Sequence, residues 1–396
     1  MSDVCVIGGG AAGFFAALTS AENGNNVTIL EKTTNLLSKV RISGGGRCNI
    51  TNSEPDINSF VKNYPRGSRE LVSVFNRFSN LETIKWFEER GLKLKTENGG
   101  RMFPETDSSQ SVIDLFLRES KKLGIKILTG IPVRKIHKDS DGIFIINDNE
   151  ELMFEKVIAC SGGYSNPDNY KWLSELGHSI INPVPSLFTF NCSSPFIKDL
   201  QGISVDNTEI KVKDTKLISD GSLLITHRGF SGPAILKLSA FGARQMNEAN
   251  YNFDIIIKWT SKDVQKVLNY LKEKFRVSTI SAAVFRGLPA RLWERITASA
   301  GIQRDKKWND FSKKDLGNLE NILTKSVFRI TGRDAFKEEF VTAGGINLKE
   351  IDFRTMESKM CKGLFFAGEV LDIDGLTGGF NFQIAWSTAY VAGINT

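Results

Sequence analysis

Three glycines near the start of the chain, Gly8, Gly10 and Gly13, have the spacing G-x-G-x-x-G, which can hold the pyrophosphate of a dinucleotide. The apolar run Val4-Cys5-Val6-Ile7 leads into them as a buried parallel strand, and residues 14–22 follow as a helix. The first glycine permits a tight turn, the second lets the backbone approach a phosphate, and the third lets helix pack on strand. Ala11 and Ala12 lie in the turn as further candidate contacts, and the helix N-terminus turns unpaired N–H groups and partial positive charge toward the anion. After a turn at residues 23–26, a second strand, Val27-Thr28-Ile29-Leu30, ends on Glu31. That carboxylate is placed for a ribose diol and would repel a 2′-phosphate, so the ADP-ribose of FAD or NAD fits better than that of NADP. A strand–turn–helix unit with no ligand is the bland alternative.

The chain closes on a second set of chemistry-bearing residues. Leu364-Phe365-Phe366-Ala367 reads as a strand running into Gly368-Glu369, where Glu369 or Asp372 could reach ribityl hydroxyls. Gly378 and Gly379 would let the backbone lie close to a planar ring. A helix beginning near Asn381 would point its positive end at the flavin N1/C2-carbonyl region. Such a dipole contributes about 0.3–2 kcal/mol, enough to move a two-electron potential by a few tens of millivolts, roughly. A third glycine turn, Ser161-Gly162-Gly163, ends the apolar strand at residues 156–160. In the loop Ser43-Gly44-Gly45-Gly46-Arg47-Cys48-Asn49, three glycines before a cation suit a backbone nest for a pyrophosphate or a path beside the ring. Lys32, Lys39 and Val133 complete the candidate cofactor contacts. Cys48 reads as a packed thiol, because a flavin disulfide reductase needs a second cysteine close by and position 53 is serine.

These residues need a scaffold of more than one core, since 396 residues exceed one ordinary domain. We place the first part of an FAD-binding domain at 1–190, an inserted domain at 191–340, and the second part at 341–396. A helix from Ser108 or Ser109 to Leu123, a strand at 125–128, a β segment from Val133 to Ile146 and the strand at 156–160 belong to the first part. Pro183-Val184-Pro185 marks the exit from it. The insert begins with short strands (209–212, 222–226, 253–259) and continues as helices at 261–275, 289–300 and 312–323. At about Phe340 the chain returns to the first domain. The fold class is therefore α/β, a Rossmann-like FAD-binding domain split by an insert with a β part and a helical part.

Composition sets further limits. With 41% hydrophobic and 24% charged residues, the chain has the balance of a soluble globular protein. The apolar stretch 4–18 lacks a basic leader region and is broken by glycines, no run is long enough to span a bilayer, and a cytoplasmic location is expected. Five scattered cysteines argue for reduced thiols, and three histidines without C-x-x-C argue against a metal. Residues 191–340 carry 25 basic and 17 acidic side chains while residues 1–190 balance at 22 each, so the net charge of +6 is concentrated in the insert. We read it as a solvated lysine-rich surface rather than one dedicated to anions or nucleic acid.

Across its whole length the sequence resembles the BaiN-like family of NAD(P)/FAD-dependent oxidoreductases, which includes aminoacetone-oxidase-like flavoproteins. The carriers are Val6 to Gly13, Ser43 to Asn52, Gly100-Arg101-Met102-Phe103-Pro104, Ser161 to Ser165, Thr226 to Pro233, Thr355-Met356-Glu357-Ser358-Lys359 and Gly368 to Gly379. The string Gly44-Gly45-Gly46-Arg47-Cys48-Asn49 is the specific one. Where the family more often has Ala-Thr-Gly-Gly, this chain has Cys160-Ser161-Gly162-Gly163, which keeps the hydroxyl. The resemblance implies FAD in a split domain. No second G-x-G-x-x-G occurs in residues 150–396, so any NAD(P)H would dock transiently. We expect an FAD-dependent oxidoreductase that moves a hydride between flavin N5 and a small organic substrate in the cleft between FAD domain and insert. His227 is the candidate acid/base there and Arg228 the candidate partner of an anionic substrate. An amine oxidase using oxygen, an RNA-modifying flavoprotein and a non-catalytic flavoprotein stay open as alternatives.

Overall fold

The computed structural model describes residues 2–140, 142–148, 150–334 and 341–396. The expected return at Phe340 lies outside the described residues. Contacts divide the chain into two units, Met1–Ser186 with Lys337–Thr396, and Leu187–Phe336. Each has a hydrophobic core of its own.

The first unit is built on five parallel strands, β1 (Asp3–Ile7), β2 (Asn26–Glu31), Lys126–Thr129, Lys156–Ala159 and Leu364–Phe366. Numbered along the chain, they lie side by side in the order 3-2-1-4-5. An antiparallel ribbon, Ile351–Asp352 and Glu357–Ser358, extends the far edge. The strand order reverses between β1 and Lys156–Ala159, and such a switch point at the carboxyl ends of the strands is where open α/β sheets hold ligands. Val4, Cys5 and Val6 are fully buried, as a central strand covered on both faces requires.

Helix α1 (Ala11–Glu22) and the closing helix Phe380–Ile394 pack together on this sheet. They approach closely because position 393 is glycine: a Cβ there would stand 2.9 Å from the Ala16 carbonyl oxygen. Phe15 and Trp386, with ring centroids 5.5 Å apart, sit in an aromatic cluster with Trp86 and Phe116. Such pairs contribute about 0.5–1.5 kcal/mol each beyond their buried area. Two helices there, Ser68–Phe75 and Asn80–Glu89, were not expected from the sequence.

Pro183 and Pro185 stand just before the boundary of the first unit at Ser186. They lie inside strand Ile180–Ser186, which pairs antiparallel with Val341–Ile346. The ladder shifts register between Ile181 and Val184, the kind of irregularity that tolerates residues without an N–H.

The second unit has a seven-stranded antiparallel sheet whose long strands are Ser204–Val212, Ile218–Ile225 and Phe253–Lys258. Helices Val264–Lys274, Ala290–Ser299 and Lys313–Lys325 follow within the next stretch of chain. Among the described residues no helix is long and apolar enough to cross a membrane.

Candidate functional site

The glycines of the first turn are required for different reasons. Gly8, at φ +110°, lies so close to the neighbouring strand that a Cβ would stand 2.5 Å from the Cys160 carbonyl oxygen. A Cβ on Gly13 would stand 1.8 Å from Gly8 O, which fixes the first turn of α1 against the end of β1. Gly10 has no such neighbour, and a Cβ there would meet nothing within 4 Å. Gly10 is the N-cap of α1 and offers no side chain to its N–H groups, and the first turn holds no acid. A bare helix N-terminus facing open space can take a phosphate.

Beside this turn lies a cavity of about 180 Å³ lined by residues that include Gly8, Glu31, Lys32, Val133, Ser161 and Tyr164. Five sequence-derived candidates thus meet at the carboxyl edge of the sheet. Glu31 Oε2 accepts the Gly9 N–H at 2.7 Å, and Oε1 accepts the N–H and hydroxyl of Thr33 at 2.9 and 2.8 Å. A carboxylate has about four lone-pair positions, so these three bonds orient Glu31 and leave one on Oε2 for a ribose hydroxyl. Lys32 Nζ lies 5.2 Å from the Tyr164 ring centroid, and Tyr164 meets Tyr170 edge-on. Burial pushes the Tyr170 hydroxyl up to about 12, so it stays protonated, and it accepts the Tyr164 N–H at 3.0 Å. Trp172 and Pro132 complete an apolar wall; the sequence carried no pattern that marked either.

Across the switch point, at the same carboxyl edge, Glu369 follows strand Leu364–Phe366 and forms an ion pair with Lys39. Gly368 packs on α1, where a Cβ would lie 2.9 Å from Ala12 Cβ, and its N–H is held by Thr388 Oγ1 at 2.9 Å. Asp372 is 8% exposed. Gly163 sits against Thr342, and Gly162 (φ +76°) faces open space. Ser43 departs from the helix Ser38–Gly46, and Gly44, Gly45 and Gly46 then take φ of +57°, +69° and +83°. Cβ atoms on Gly45 and Gly46 would enter open space, so backbone conformation and not packing selects glycine there.

The Arg47 guanidinium is not directed at an anion: it pairs with Glu97 at 2.7 Å and Asp107 at 3.1 Å and stacks 4.0 Å from the Phe103 ring centroid. Those bonds, Glu97 first, hold Arg47 above its ordinary range. Asn49 and Asn381 brace loops. Asn49 in its satisfied orientation donates to the Thr51 and Met102 carbonyls and accepts the Gly379 N–H at 3.0 Å. Asn381 accepts the Gly375 N–H and donates to its carbonyl, both at 2.8 Å. Gly379 must be glycine whatever lies beside it, because the Thr51 backbone would lie 2.4 Å from its Cβ. In the second unit, Arg228 is engaged by Asp334 at 2.9 and 3.0 Å, and His227 is an exposed residue of the same turn.

Two clusters were invisible in the sequence. Asp374 is fully buried and bound by Arg66 and by the Ser186 hydroxyl at 2.6 Å. Gln383 bonds Thr51, Thr83 and Ser387 at 2.5, 2.8 and 2.7 Å, tying the closing helix to the Ser43–Asn52 segment. Cys48, at φ +60°, is buried beside Ser43, and burial pushes its thiol up to about 12. Among the described residues no cluster of three or more His, Cys, Asp or Glu could hold a metal ion.

The residues present fit an FAD, with a bare helix N-terminus at Gly10, an oriented acid at Glu31, a cavity of mixed polar and apolar lining beside them and open glycines at 45, 46 and 162. Residues 2–395 match the family described as HI0933-like protein Rossmann domain. The chain is 30% identical over 406 residues to a ribosomal RNA dihydrouridine synthase of Haemophilus influenzae, covering 100% of this chain and 98% of the other. It is 28% identical over 407 residues to a 3-dehydro-bile acid delta(4,6)-reductase of Clostridium scindens, covering 99% and 98%. The crystal structure of a 3-ketosteroid-delta4-(5alpha)-dehydrogenase from Rhodococcus jostii shares the fold, with a TM-score of 0.52 at 14% identity over 100% of this chain and 96% of that one. The chain belongs to the HI0933-like Rossmann-domain family and is an FAD-dependent oxidoreductase.

Proposed function

We propose that this protein reduces a carbon–carbon double bond conjugated to a carbonyl, with NAD(P)H as a transient electron donor. One observation carries the reading. Two relatives aligned over nearly the whole chain bear names that both describe saturating a C=C bond, one in a uracil ring and one in a steroid dienone. When bound, FAD supplies two-electron hydride exchange at its N5 position. The chain supplies position and electrostatics. The α1 N-terminus and Gly10 hold the pyrophosphate, Glu31 orients the adenosine ribose, and Glu369 takes the ribityl hydroxyls. The glycine turn 44–46 offers backbone at close range, while Gln383 and Asn49 fix that turn against the closing helix. The reduction adds one hydride and one proton across the double bond. His227 and Arg228 are not assigned to the proton step, because one is solvent-exposed and the other is held by Asp334.

The test is anaerobic. NADH or NADPH should bleach the flavin absorbance band, and a conjugated enone or a uridine-containing RNA should restore it. Bleaching by an amine, with none by either reduced nicotinamide, would overturn the reading in favour of an amine oxidase. A uracil base in RNA is the second reading of the acceptor, favoured by the 25 basic against 17 acidic residues of the segment 191–340.

A further inference from the structure

Against the solvated-surface reading of the sequence, we propose that the helical part of the second unit, residues 261–325, is a docking surface for RNA. It deepens the reading above by naming the polymer that would carry the reducible base, and rests on that reading for the reaction alone. The segment holds 14 Lys and Arg against 7 Asp and Glu, so most of the positive excess of residues 191–340 lies in less than half of that length. Part of this charge is matched. Lys306 pairs with Asp315 and Arg304 with Glu294, both at 2.9 Å, and Arg295 is bound to backbone carbonyls of residues 195–198. Arg276 and Lys307 are exposed and make no ion pair among the described residues.

The backbone brings these two together. Asn309 N donates to Arg276 O at 2.9 Å, Trp308 N to Ser278 O at 3.1 Å, and Thr279 bridges antiparallel to Lys307. Beside them is an open groove of about 320 Å³ lined by Asn269, Lys272, Glu273, Arg276 and Asn309, in which Glu273 is the one acid. Helix Val264–Lys274 adds Lys266, which pairs with Asp263 at 3.3 Å, and Tyr270 and Lys274, at i, i+4 spacing on one exposed face. Tyr270 is 52% exposed, with Lys274 Nζ 5.2 Å from its ring centroid. Cations spaced for phosphates, amide side chains in a groove and an open aromatic face are what a single-stranded or looped nucleic acid uses. An anionic membrane would need a continuous apolar face under the lysines. Here Val264, Leu268 and Leu271 of the same helix are buried, which leaves a partner that is a flexible polyanion with stackable bases.

The experiment uses the full-length flavin-loaded protein and a fluorescein-labelled, uridine-rich RNA hairpin. Wild type should bind it with an affinity that falls steeply with salt, each phosphate contact contributing about 0.7 to the slope. The triple variant Lys274→Gln/Arg276→Gln/Lys307→Gln should bind about tenfold or more weakly, with a slope shallower by about 2. A control variant of equal charge loss in the β part, Lys198→Gln/Lys211→Gln/Lys216→Gln, should keep the wild-type slope. Flavin absorbance and its bleaching by the reduced nicotinamide should be the same in all three. Equal RNA affinity in wild type and triple variant overturns the proposal, as does binding of phosphatidylglycerol vesicles as tight as that of RNA. Failure of each reading is separable. Enone reduction without RNA affinity sinks the surface alone, and RNA held at these residues without reoxidation by any C=C acceptor sinks the reaction alone.

Discussion

The Cα of Gly13 faces the carbonyl oxygen of Gly8 so closely that a Cβ on Gly13 would stand 1.8 Å from it, whereas a Cβ on Gly10 would meet no atom within 4 Å. One glycine serves the fold and the other leaves room for a ligand. Gly13→Ala must push α1 off β1, an overpacking that costs about 1–3 kcal/mol or more, and flavin should be lost with the fold. Gly10 has extended backbone at φ −96°, which alanine can adopt, so Gly10→Ala should leave the melting temperature of the apoprotein within about 2 °C. Its methyl group would stand where the pyrophosphate must pass, and FAD affinity should fall at least about tenfold, roughly 1.4 kcal/mol. Equal flavin retention by Gly10→Ala and wild type, read by absorbance after gel filtration, would remove the phosphate from that position.

Glu369 and Lys39 make a second such distinction. Their ion pair has one exposed partner, the Lys39 side chain being 57% exposed, so it contributes less than about 1 kcal/mol. Lys39→Gln should therefore change thermal stability little. If Glu369 is the acid that accepts the ribityl hydroxyls, Glu369→Gln should leave the apoprotein melt unchanged and weaken FAD about tenfold or more, since a charged acceptor is worth about 1.5–3 kcal/mol. Calorimetric titration of apoprotein with FAD measures this, and an unchanged dissociation constant would move the role elsewhere.

The β1–α1–β2 unit was legible because each signal agreed with the next: a run of small apolar residues, glycines at fixed spacing, and a polar turn before Val27. The strand at 156–159 and the capped helix Ser109–Lys122 were legible for the same reason, and Ser108 Oγ does accept the Gln110 N–H. Pro183 and Pro185 mark the exit from the first domain, and the first unit's boundary does follow at Ser186; that they sit inside a strand gave no signal, because only the partner strand reveals the register shift. At the site, residue type was informative and direction was not. Arg47 follows three glycines as a nest cation would, yet Glu97 and Asp107, 50 and 60 residues on, take its charge. At Gly379 the clearance for Thr51 could not be foreseen, because spacing in sequence does not tell which atoms fill the space above a glycine. Gln383 and Asp374 gave no signal, since a buried polar side chain in an apolar helix or loop looks like any other until its partners are placed.

Acid should destabilise the first unit through His178. Its ring is buried, with Nδ1 3.0 Å from Glu350 and Nε2 2.9 Å from Ser358 Oγ. Ser358 Oγ accepts the N–H groups of Met360 and Cys361, so it donates its proton to Nε2 and leaves Nδ1–H to donate to Glu350. The arrangement has the order of a hydrolytic triad, but the hydroxyl is 6% exposed and its lone pairs are taken, so it is a brace. Burial lowers the His178 pKa despite Glu350. The unfolded chain then binds more protons than the folded one as pH drops through about 6.5. Stability is therefore full above that value and declines below it. Urea melts at pH 7.5 and 5.5 should show a larger loss for wild type than for His178→Gln, and equal losses would contradict it. Glu350 is different: burial opposes its ionisation, but the bonds from Ser179 and His178 prevail and hold it below its usual range. Its contribution is present above about 4.5 and lost only in more acid solution.

Cys48 should take no part in electron transfer. A thiol must ionise to attack a disulfide or a flavin adduct site. Burial pushes this one up to about 12 even though a bond from Ser43 acts the other way. At neutral pH almost none is thiolate, and the side chain is fully enclosed. Iodoacetamide should leave Cys48 unlabelled in the native protein and label it after denaturation, as read by mass spectrometry of the peptide that contains it. Cys48→Ala removes a small buried group and should destabilise the protein by no more than about 1.5 kcal/mol. It should keep the bound flavin and its rate of bleaching by reduced nicotinamide. A variant that holds FAD yet no longer passes electrons to any acceptor would return the thiol to the reaction.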